Sequence, residues 1–481
     1  VGEGRQCRGR PRPIGRIACG LALAAAAIAA ACSGATDAAG PAAERPPNFI
    51  LLFSDDAGYA DFGFQGSATH ATPNIDSIAR EGFRFTQAYV TASVCSPSRA
   101  GMLTGRYQQR FGHEYNLPGM NDPAVPDNLR GLPLTEVTIA DMLRERGYAT
   151  GLVGKWHLGL HPRFHPQRRG FDEFFGMVAG SSPYMPGTNN RIFDGTEPVP
   201  AGQLPYITDA FGDRAVDFIE RHRDEPFFLF LSFNAPHTPM EAKAADLDSL
   251  QASFQTRERA VSAAMTRSLD DNVGKVLEAL DRLGLAENTL VIFTNDNGGA
   301  MPYNASLNAP LRGTKGTILE GGIRVPMAMR WPDRLPGGDS FELPVSTLDL
   351  VPTMMAAAGG RLPADRDYDG VDLLAHLTGD AVSRPHPTLF WRIDDGAALR
   401  RGDWKLVRTP DRQHWLFDLT ADLSETTDLA AAEPEIAAEL RAELERWEAT
   451  LAPAVWRTAP RWQEHSLIRY DQTAVDSFVR R

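Results

Sequence analysis

The amino-acid sequence predicts an α/β fold: a large mixed, mostly parallel central sheet flanked by helices, with a smaller α+β C-terminal subdomain carrying a short antiparallel sheet. Three observations predict it. Apolar runs of strand length alternate with amphipathic stretches of helical spacing, the order that builds a parallel sheet with crossover helices. Reactive side chains fall just after the apolar runs, where open α/β sheets bind their ligands. From about Thr388 the texture changes to short apolar segments separated by turn residues.

Each element has its own signal. The apolar run 48–53 reads as a buried strand that ends in Ser54-Asp55-Asp56. Helical spacing over 73–84 follows the start signal Thr72-Pro73. A second helix is expected over 134–146, opening at Thr135 and closing at Gly147. A strand over 148–153 runs into Gly154-Lys155-Trp156-His157. After a helix over 208–223, the strand 227–233 empties into Asn234-Ala235-Pro236-His237. A long amphipathic helix spans 257–283, and the strand 289–293 empties into Asn295-Asp296-Asn297-Gly298-Gly299. Short strands at 389–392, 404–408 and 415–419 and a helix at 431–447 make up the C-terminal part. The expected domains are a leader at 1–31, a tether at 32–46, a main domain at 47–375 and a subdomain with tail at 376–481.

The N-terminal residues read as a targeting segment. Five arginines, Arg5 to Arg16, precede an uncharged Ala-rich stretch too short for a comfortable membrane span. It ends in Ala29-Ala30-Ala31-Cys32-Ser33, which resembles a bacterial lipoprotein cleavage site. The expectation is an exported protein, periplasmic or anchored to the outer membrane through a lipid on Cys32, with ordinary signal cleavage nearby as the alternative. Hydrophobic content of 43% and charged content of 23% suit a soluble globular enzyme. The formal charge of -12, about -16 without the leader, argues against nucleic acid as a partner, and leaves the membrane reached only through the lipid anchor. Any anion site must therefore be locally basic.

Of 4 cysteines, Cys7 and Cys19 lie in the leader and Cys32 at the anchor, so Cys95 stands alone. It has no disulfide partner and no second thiol for zinc. Such a thiol is either buried and inert or chemically converted. Four oxygen donors stand at strand exits: Asp55, Asp56, Asp296 and Asn297. Adjacent aspartates after a strand can equally be a helix cap or a solvated turn. Paired with a second acidic cluster after another strand, they suit a hard cation, Ca²⁺ first and Mg²⁺ second. Arg99, Lys155 and Lys315 can grip an anion, although solvated side chains are the default for each. Glycines beside Lys155 and Lys315 allow close backbone approach. His157 and His237 can move protons near neutral pH, or be structural. His113 and Tyr184 are read as structural residues near the pocket.

These residues carry a resemblance. Cys95, Pro97, Ser98, Arg99, Leu103, Thr104 and Gly105 match the signature Cys-x-Pro-Ser-Arg-x-x-x-Leu-Thr-Gly in full, and the strand-exit blocks follow in order. The chain resembles the formylglycine-dependent type I sulfatases, arylsulfatase-like members of the alkaline phosphatase superfamily. The resemblance implies that a separate maturation enzyme oxidises Cys95 to Cα-formylglycine. It implies that the hydrated aldehyde binds a divalent cation beside Asp55, Asp56, Asp296 and Asn297 and attacks sulfur, forming a sulfo-enzyme. Lys155, Lys315 and the metal would offset sulfate charge. His237, with Lys315, would protonate the leaving oxygen, His157 would act as base in releasing sulfate, and Arg99 would order the modified side chain. The implied substrates are sulfated carbohydrates or aryl sulfates. Gln108 to Asn116 is reminiscent of the N-acetylgalactosamine-6-sulfatase-like branch. Two rivals remain: a phosphomonoester or phosphonate hydrolase of the same superfamily, and a non-catalytic glycan-binding lipoprotein in which Cys95 stays a thiol.

Overall fold

The structure, a computed structural model, describes residues 45–118, 125–188, 191–200, 202–459 and 468–470. The leader, Cys32 and nearly all of the tether lie outside these residues. The strands of the main sheet are β1 (Asn48–Ser54), β2 (Phe83–Tyr89), β3 (Ala149–Lys155), β4 (Glu173–Met177), β5 (Phe193–Asp194), β6 (Glu197–Pro198), β7 (Phe227–Ser232), β8 (Thr289–Asn295), β9 (Arg324–Arg330), β10 (Asp339–Phe341) and β11 (Val345–Ser346). Their order is β10-β2-β9-β8-β1-β7-β3-β4-β5-β6, with β11 paired to β2. The centre, β8-β1-β7-β3-β4, is parallel throughout. β9 runs antiparallel to both β8 and β2. The helices are α1 (Pro73–Arg80), α2 (Cys95–Thr104), α3 (Ile139–Glu145), α4 (Ile207–Arg221), α5 (Ala244–Leu250), α6 (Arg257–Arg282), α7 (Glu320–Ile323), α8 (Leu350–Ala357), α9 (Leu374–Leu377) and α10 (Pro434–Glu448).

Every residue of β1 is buried, as expected for a parallel strand covered on both faces. Ile50 and Leu52 join a core with Ile75 of α1, Phe211 of α4 and Met265 of α6. Phe49, Leu51 and Phe53 point the other way, onto Leu103 of α2, Leu143 of α3 and Met354 of α8. The register brings the strand ends level: Phe53 and Gly154 both pair with Ser232, and Ser54 pairs with Asn295. Gly154 is required here. Its φ is +112°, and a Cβ would lie 1.8 Å from the Ser232 carbonyl oxygen.

The C-terminal sheet is an antiparallel meander of β12 (Thr388–Ile393), β13 (Gly396–Arg401), β14 (Trp404–Arg408) and β15 (His414–Asp418). Its alternation separates two cores. Ala397, Leu399, Leu406 and Leu416 face Leu440 and Leu444 of α10. Leu389, Trp391, Ala398, Val407 and Phe417 face Val90, Val94, Ile318 and Leu319 of the main domain. The second core therefore lies directly behind Cys95 and Lys315.

Three sequence expectations shift. The helix expected over 73–84 stops at Arg80, because Phe83 and Phe85 begin the alternation of β2 into the core. The helix expected from Thr135 begins at Ile139, where Thr138 and Asp141 form a reciprocal capping box. The C-terminal helix starts at Pro434, with proline in its first turn.

Trp391 anchors the C-terminal sheet. Its indole NH donates to Val90 O at 2.7 Å, and its ring lies 5.4 Å from that of Tyr89. Trp391→Ala should cost roughly 3–5 kcal/mol of stability, read as a lowered urea midpoint; an unchanged midpoint would refute the anchoring role.

Candidate active site

Four neighbouring strands deliver the site. Asp55 and Asp56 follow β1, Ser232 ends β7 with His237 just beyond, Asp296 and Asn297 follow β8, and Lys155 ends β3. Cys95 arrives from outside the sheet, as the first residue of α2. Lys315 comes from the loop before α7. Asp56 and His157 hold left-handed backbones, with φ of 65° and 59°. Non-glycine residues rarely adopt that region, and the surrounding contacts have to maintain it.

The charges interlock. Lys155 Nζ contacts Asp55 Oδ2 at 2.6 Å, and Lys315 Nζ contacts both oxygens of Asp56 at 2.6 and 2.8 Å. Arg99 donates to Asp296 Oδ2 through Nε at 3.1 Å and Nη2 at 2.9 Å. Its Nη1 donates to Ser232 Oγ at 2.6 Å and Lys155 O at 3.1 Å. Arg99 thus holds the carboxylates rather than Cys95. His237 Nε2 stands 3.5 Å from Asp56 Oδ2, while its Nδ1 lies 2.6 Å from Thr238 O and so carries the proton in the neutral ring.

Crowding sets the protonation. Burial, and then the negative charge of Asp296, pushes Asp55 up to about 8. Burial also works against Asp56, yet Lys315 and His237 hold it below its usual range. Asp296 is likewise buried and is held far down by Arg99 and Lys155. Burial opposes the charge on Lys315, but Asp56, Cys95, Asp55 and Asp296 together outweigh it and keep the ammonium protonated. His237 is pushed down to about 4, mainly by burial, with Asp56 opposing. His157 falls well below the ordinary value through burial and then the cations Lys155, Arg99 and Lys315. Its Nδ1 is buried without a hydrogen-bond partner.

Cys95 sits at the centre. Its Sγ is 3.7 Å from Asp55 Oδ1, 4.0 Å from Asp56 Oδ1 and 3.1 Å from Lys315 Nζ. Burial, reinforced by Asp296, pushes the thiol up to about 12. An unmodified Cys95 is therefore a poor nucleophile at neutral pH. Asp55, Asp56, Cys95 and His237 each present a ligand atom within 4.8 Å of the others. Asn297 Oδ1 is buried without a partner among the described residues, and Asp296 Oδ1 accepts from the Asp56 NH at 3.3 Å. Asn297 turns its Nδ2 to Asp56 Oδ1 at 2.8 Å, so its amide would have to flip to offer oxygen to a cation; with the carboxylates, that oxygen suits a hard cation such as Ca²⁺ or Mg²⁺.

All ten residues expected from the sequence fall in this neighbourhood, although among the described residues the His157 ring hydrogen-bonds to none of the others. The sequence reading missed several supports. Ser232 holds Arg99. Ser96 Oγ donates to His157 O at 2.8 Å and lies 2.7 Å from His113 Nε2. Asn304 Nδ2 donates to Asp56 O at 2.8 Å and braces its left-handed backbone. The one cue for Ser232 was its place at a strand exit. His113 supports the Cys95 segment, and the Tyr184 hydroxyl lies against the carbonyls of Asn234 and His237, so both act as structural residues.

Comparison with known proteins agrees with this geometry. The family model described as Sulfatase matches residues 47–360. N-acetylgalactosamine-6-sulfatase of Canis lupus familiaris is 36% identical over 382 residues, covering 76% of this chain and 72% of that protein. Arylsulfatase A of Homo sapiens is 37% identical over 436 residues, covering 83% of this chain and 82% of that protein. The crystal structure of Ps i-CgsB superposes with a TM-score of 0.80 at 34% identity, over 89% of this chain and 99% of that one, and the same protein is known in complex with k-i-k-neocarrahexaose. A buried cysteine framed by strand-exit carboxylates, together with these matches, establishes that the chain belongs to the sulfatase family of sulfuric ester hydrolases.

Proposed function

We propose that this chain hydrolyses sulfate monoesters on carbohydrate, using Cys95 as Cα-formylglycine and a divalent cation, Ca²⁺ in first place. The observation that carries the reading is the Cys95 side chain, held between the Asp55–Asp56 carboxylates and the Lys315 ammonium. The oligosaccharide complex of Ps i-CgsB and the N-acetylgalactosamine-6-sulfatase relatives support a sugar as the alcohol.

Asp55, Asp56, Asp296 and Asn297 would hold the cation, with residue 95 facing them. The cation offsets anionic charge, and hydrated formylglycine supplies two hydroxyls on one carbon, one to attack sulfur and one to let sulfate leave. The protein residues do the rest. Lys155 and Lys315 flank the carboxylates and face the same space, so they can balance charge on the sulfuryl oxygens. Lys315 keeps its proton and so can offset charge on the departing alcohol oxygen and donate a hydrogen bond to it, while its raised value disfavours full proton transfer. His237 shares Asp56 with Lys315; neutral in this state, it would first have to take up a proton on Nε2 before it could pass one to the departing alcohol. His157 stays neutral with an unpaired Nδ1, the state a proton acceptor needs. Arg99 is the positioning cation that keeps Asp296 ionised and aimed. The reading also takes the protein to be exported and lipid-anchored at Cys32, on the strength of its basic and Ala-rich leader.

Three outcomes are expected. In protein from its native host, the peptide holding Cys95 should be lighter than its thiol form by about 18 Da, as sulfur and two hydrogens give way to oxygen; full activity with the thiol intact would overturn the proposal. Asp296→Asn should weaken divalent-cation binding in calorimetry by at least roughly ten-fold. The same variant should cut turnover at least roughly a hundred-fold, and unchanged cation affinity would remove Asp296 from the metal set. Sulfated oligosaccharides should release sulfate with kcat/KM orders of magnitude above matched phosphate esters; the opposite ranking would favour the phosphohydrolase rival.

A further inference from the structure

The loop that carries Lys315 is gripped at both ends by one buried residue of the C-terminal subdomain, Glu425. Before the lysine, Arg312 Nη1 donates to the Glu425 backbone carbonyl at 2.6 Å. After it, the Glu320 backbone NH donates to Glu425 Oε2 at 2.6 Å. The other carboxylate oxygen of Glu425 pairs with Lys405 Nζ at 2.8 Å, and Lys405 pairs equally closely, at 2.8 Å, with Glu320 Oε1. Lys405, Glu320 and Glu425 are all fully buried. Glu425 holds a left-handed backbone, φ 51°, which its double engagement maintains.

Further contacts stiffen the same loop from the same side. Arg312 Nη2 donates to Tyr470 O at 2.9 Å, and its guanidinium lies 5.2 Å from the centre of the Trp415 ring. The Ile318 NH donates to the Tyr470 hydroxyl at 3.2 Å, and Ser424 Oγ donates to Pro310 O at 2.8 Å. From the main domain the loop receives the Gly316 NH bond to Ser93 O at 2.7 Å and the Lys315 NH bond to Gly299 O at 3.1 Å. A lysine stem has four rotatable carbons, and its placement is only as firm as the backbone beneath it. A displacement of about 1 Å in a reacting group can cost roughly a hundred-fold in rate.

We propose that Glu425 is a positioning residue for Lys315: by closing the loop 312–320 at both ends, the C-terminal subdomain sets the place of the ammonium that faces residue 95. This rests on the sulfatase reading for the task Lys315 performs, but the clamp itself stands on the contacts above. Its effect should travel through Lys315 alone.

A double-mutant cycle tests that. In full-length protein, Glu425→Ala should lower kcat on a sulfate ester roughly ten- to a hundred-fold, with KM changed far less. Glu425→Gln, which keeps an acceptor for the Glu320 NH, should recover most of the loss. In a Lys315→Ala background, Glu425→Ala should cost no more than about two-fold, since groups acting as one unit are not additive. Costs that multiply would overturn the proposal, as would unchanged kcat in a folded Glu425→Ala. If that variant fails to melt cooperatively, Arg312→Met opens the other end of the clamp at a partly buried site, and the same cycle decides. Arg401→Ala, an exposed ion-pair change on the same subdomain, should leave turnover unaltered. Wild-type protein that releases no sulfate from any ester would sink the functional reading separately. The clamp would then be read from inorganic sulfate affinity, weakened by Glu425→Ala and not weakened further when Lys315→Ala is already present; additive losses there would overturn it too.

Discussion

Three carboxylates are buried with Arg99 and Lys155 at the carboxyl ends of the central strands, with the partly exposed Lys315 closing the group, and the rest of the structure answers to that arrangement. Asp55 meets Lys155 and Asp296 meets Arg99 out of contact with solvent, and Asp56 meets Lys315 at the more open side. Withdrawing any one charge from water costs several kcal/mol. The cost is tolerable only if each charge keeps its partner. Level strand ends, left-handed turns at Asp56 and His157 and a glycine at position 154 all serve to bring these partners into register.

A balanced cluster can also be rearranged locally. Lys315 sits against Asp56 and Cys95, where a divalent cation would compete for the same oxygens. Asn297 Oδ1 has no partner among the described residues, and Asp296 Oδ1 accepts a long bond from the Asp56 NH. The pocket therefore has oxygen lone pairs in reserve without leaving its charges exposed. The C-terminal sheet contributes from behind, through the core of Trp391, Val407 and Phe417 against Val94, Ile318 and Leu319. That core packs on Val94, Ile318 and Leu319, so a subdomain whose described residues supply no group to the carboxylate cluster still backs the segments that carry Cys95 and Lys315.

Much of this was legible in the sequence, for identifiable reasons. β1, β3, β7 and β8 are apolar runs because both their faces are covered, and that leaves a strong signal. Their polar exits named Asp55, Asp56, Lys155, His237, Asp296 and Asn297 directly. α2 was not foreseen as a helix: all its residues are buried, so no amphipathic period marks it, and its Ser-Pro-Ser-Arg opening resembles a loop. β13 escaped because Gly396-Ala397-Ala398 lacks the bulky residues that mark strands. β2 and β9 escaped in the same reading, the first absorbed into the helix before it.

By itself the sequence determined the kind of chemistry, since a cysteine signature and a recurring set of strand-exit residues depend on residue type and order alone. It determined the layered α/β architecture as well, because periodicity follows from which faces are buried. Only the tertiary structure decided the pairings. Arg99 turns to Asp296 and Ser232 rather than to Cys95, with Ser232 133 residues away, and Glu425 reaches back 105 residues to Glu320. Such pairs form when strands and loops distant in the chain arrive at the same dehydrated place. There each buried charge must take whichever partner stands within reach, and no local pattern of residues records that choice.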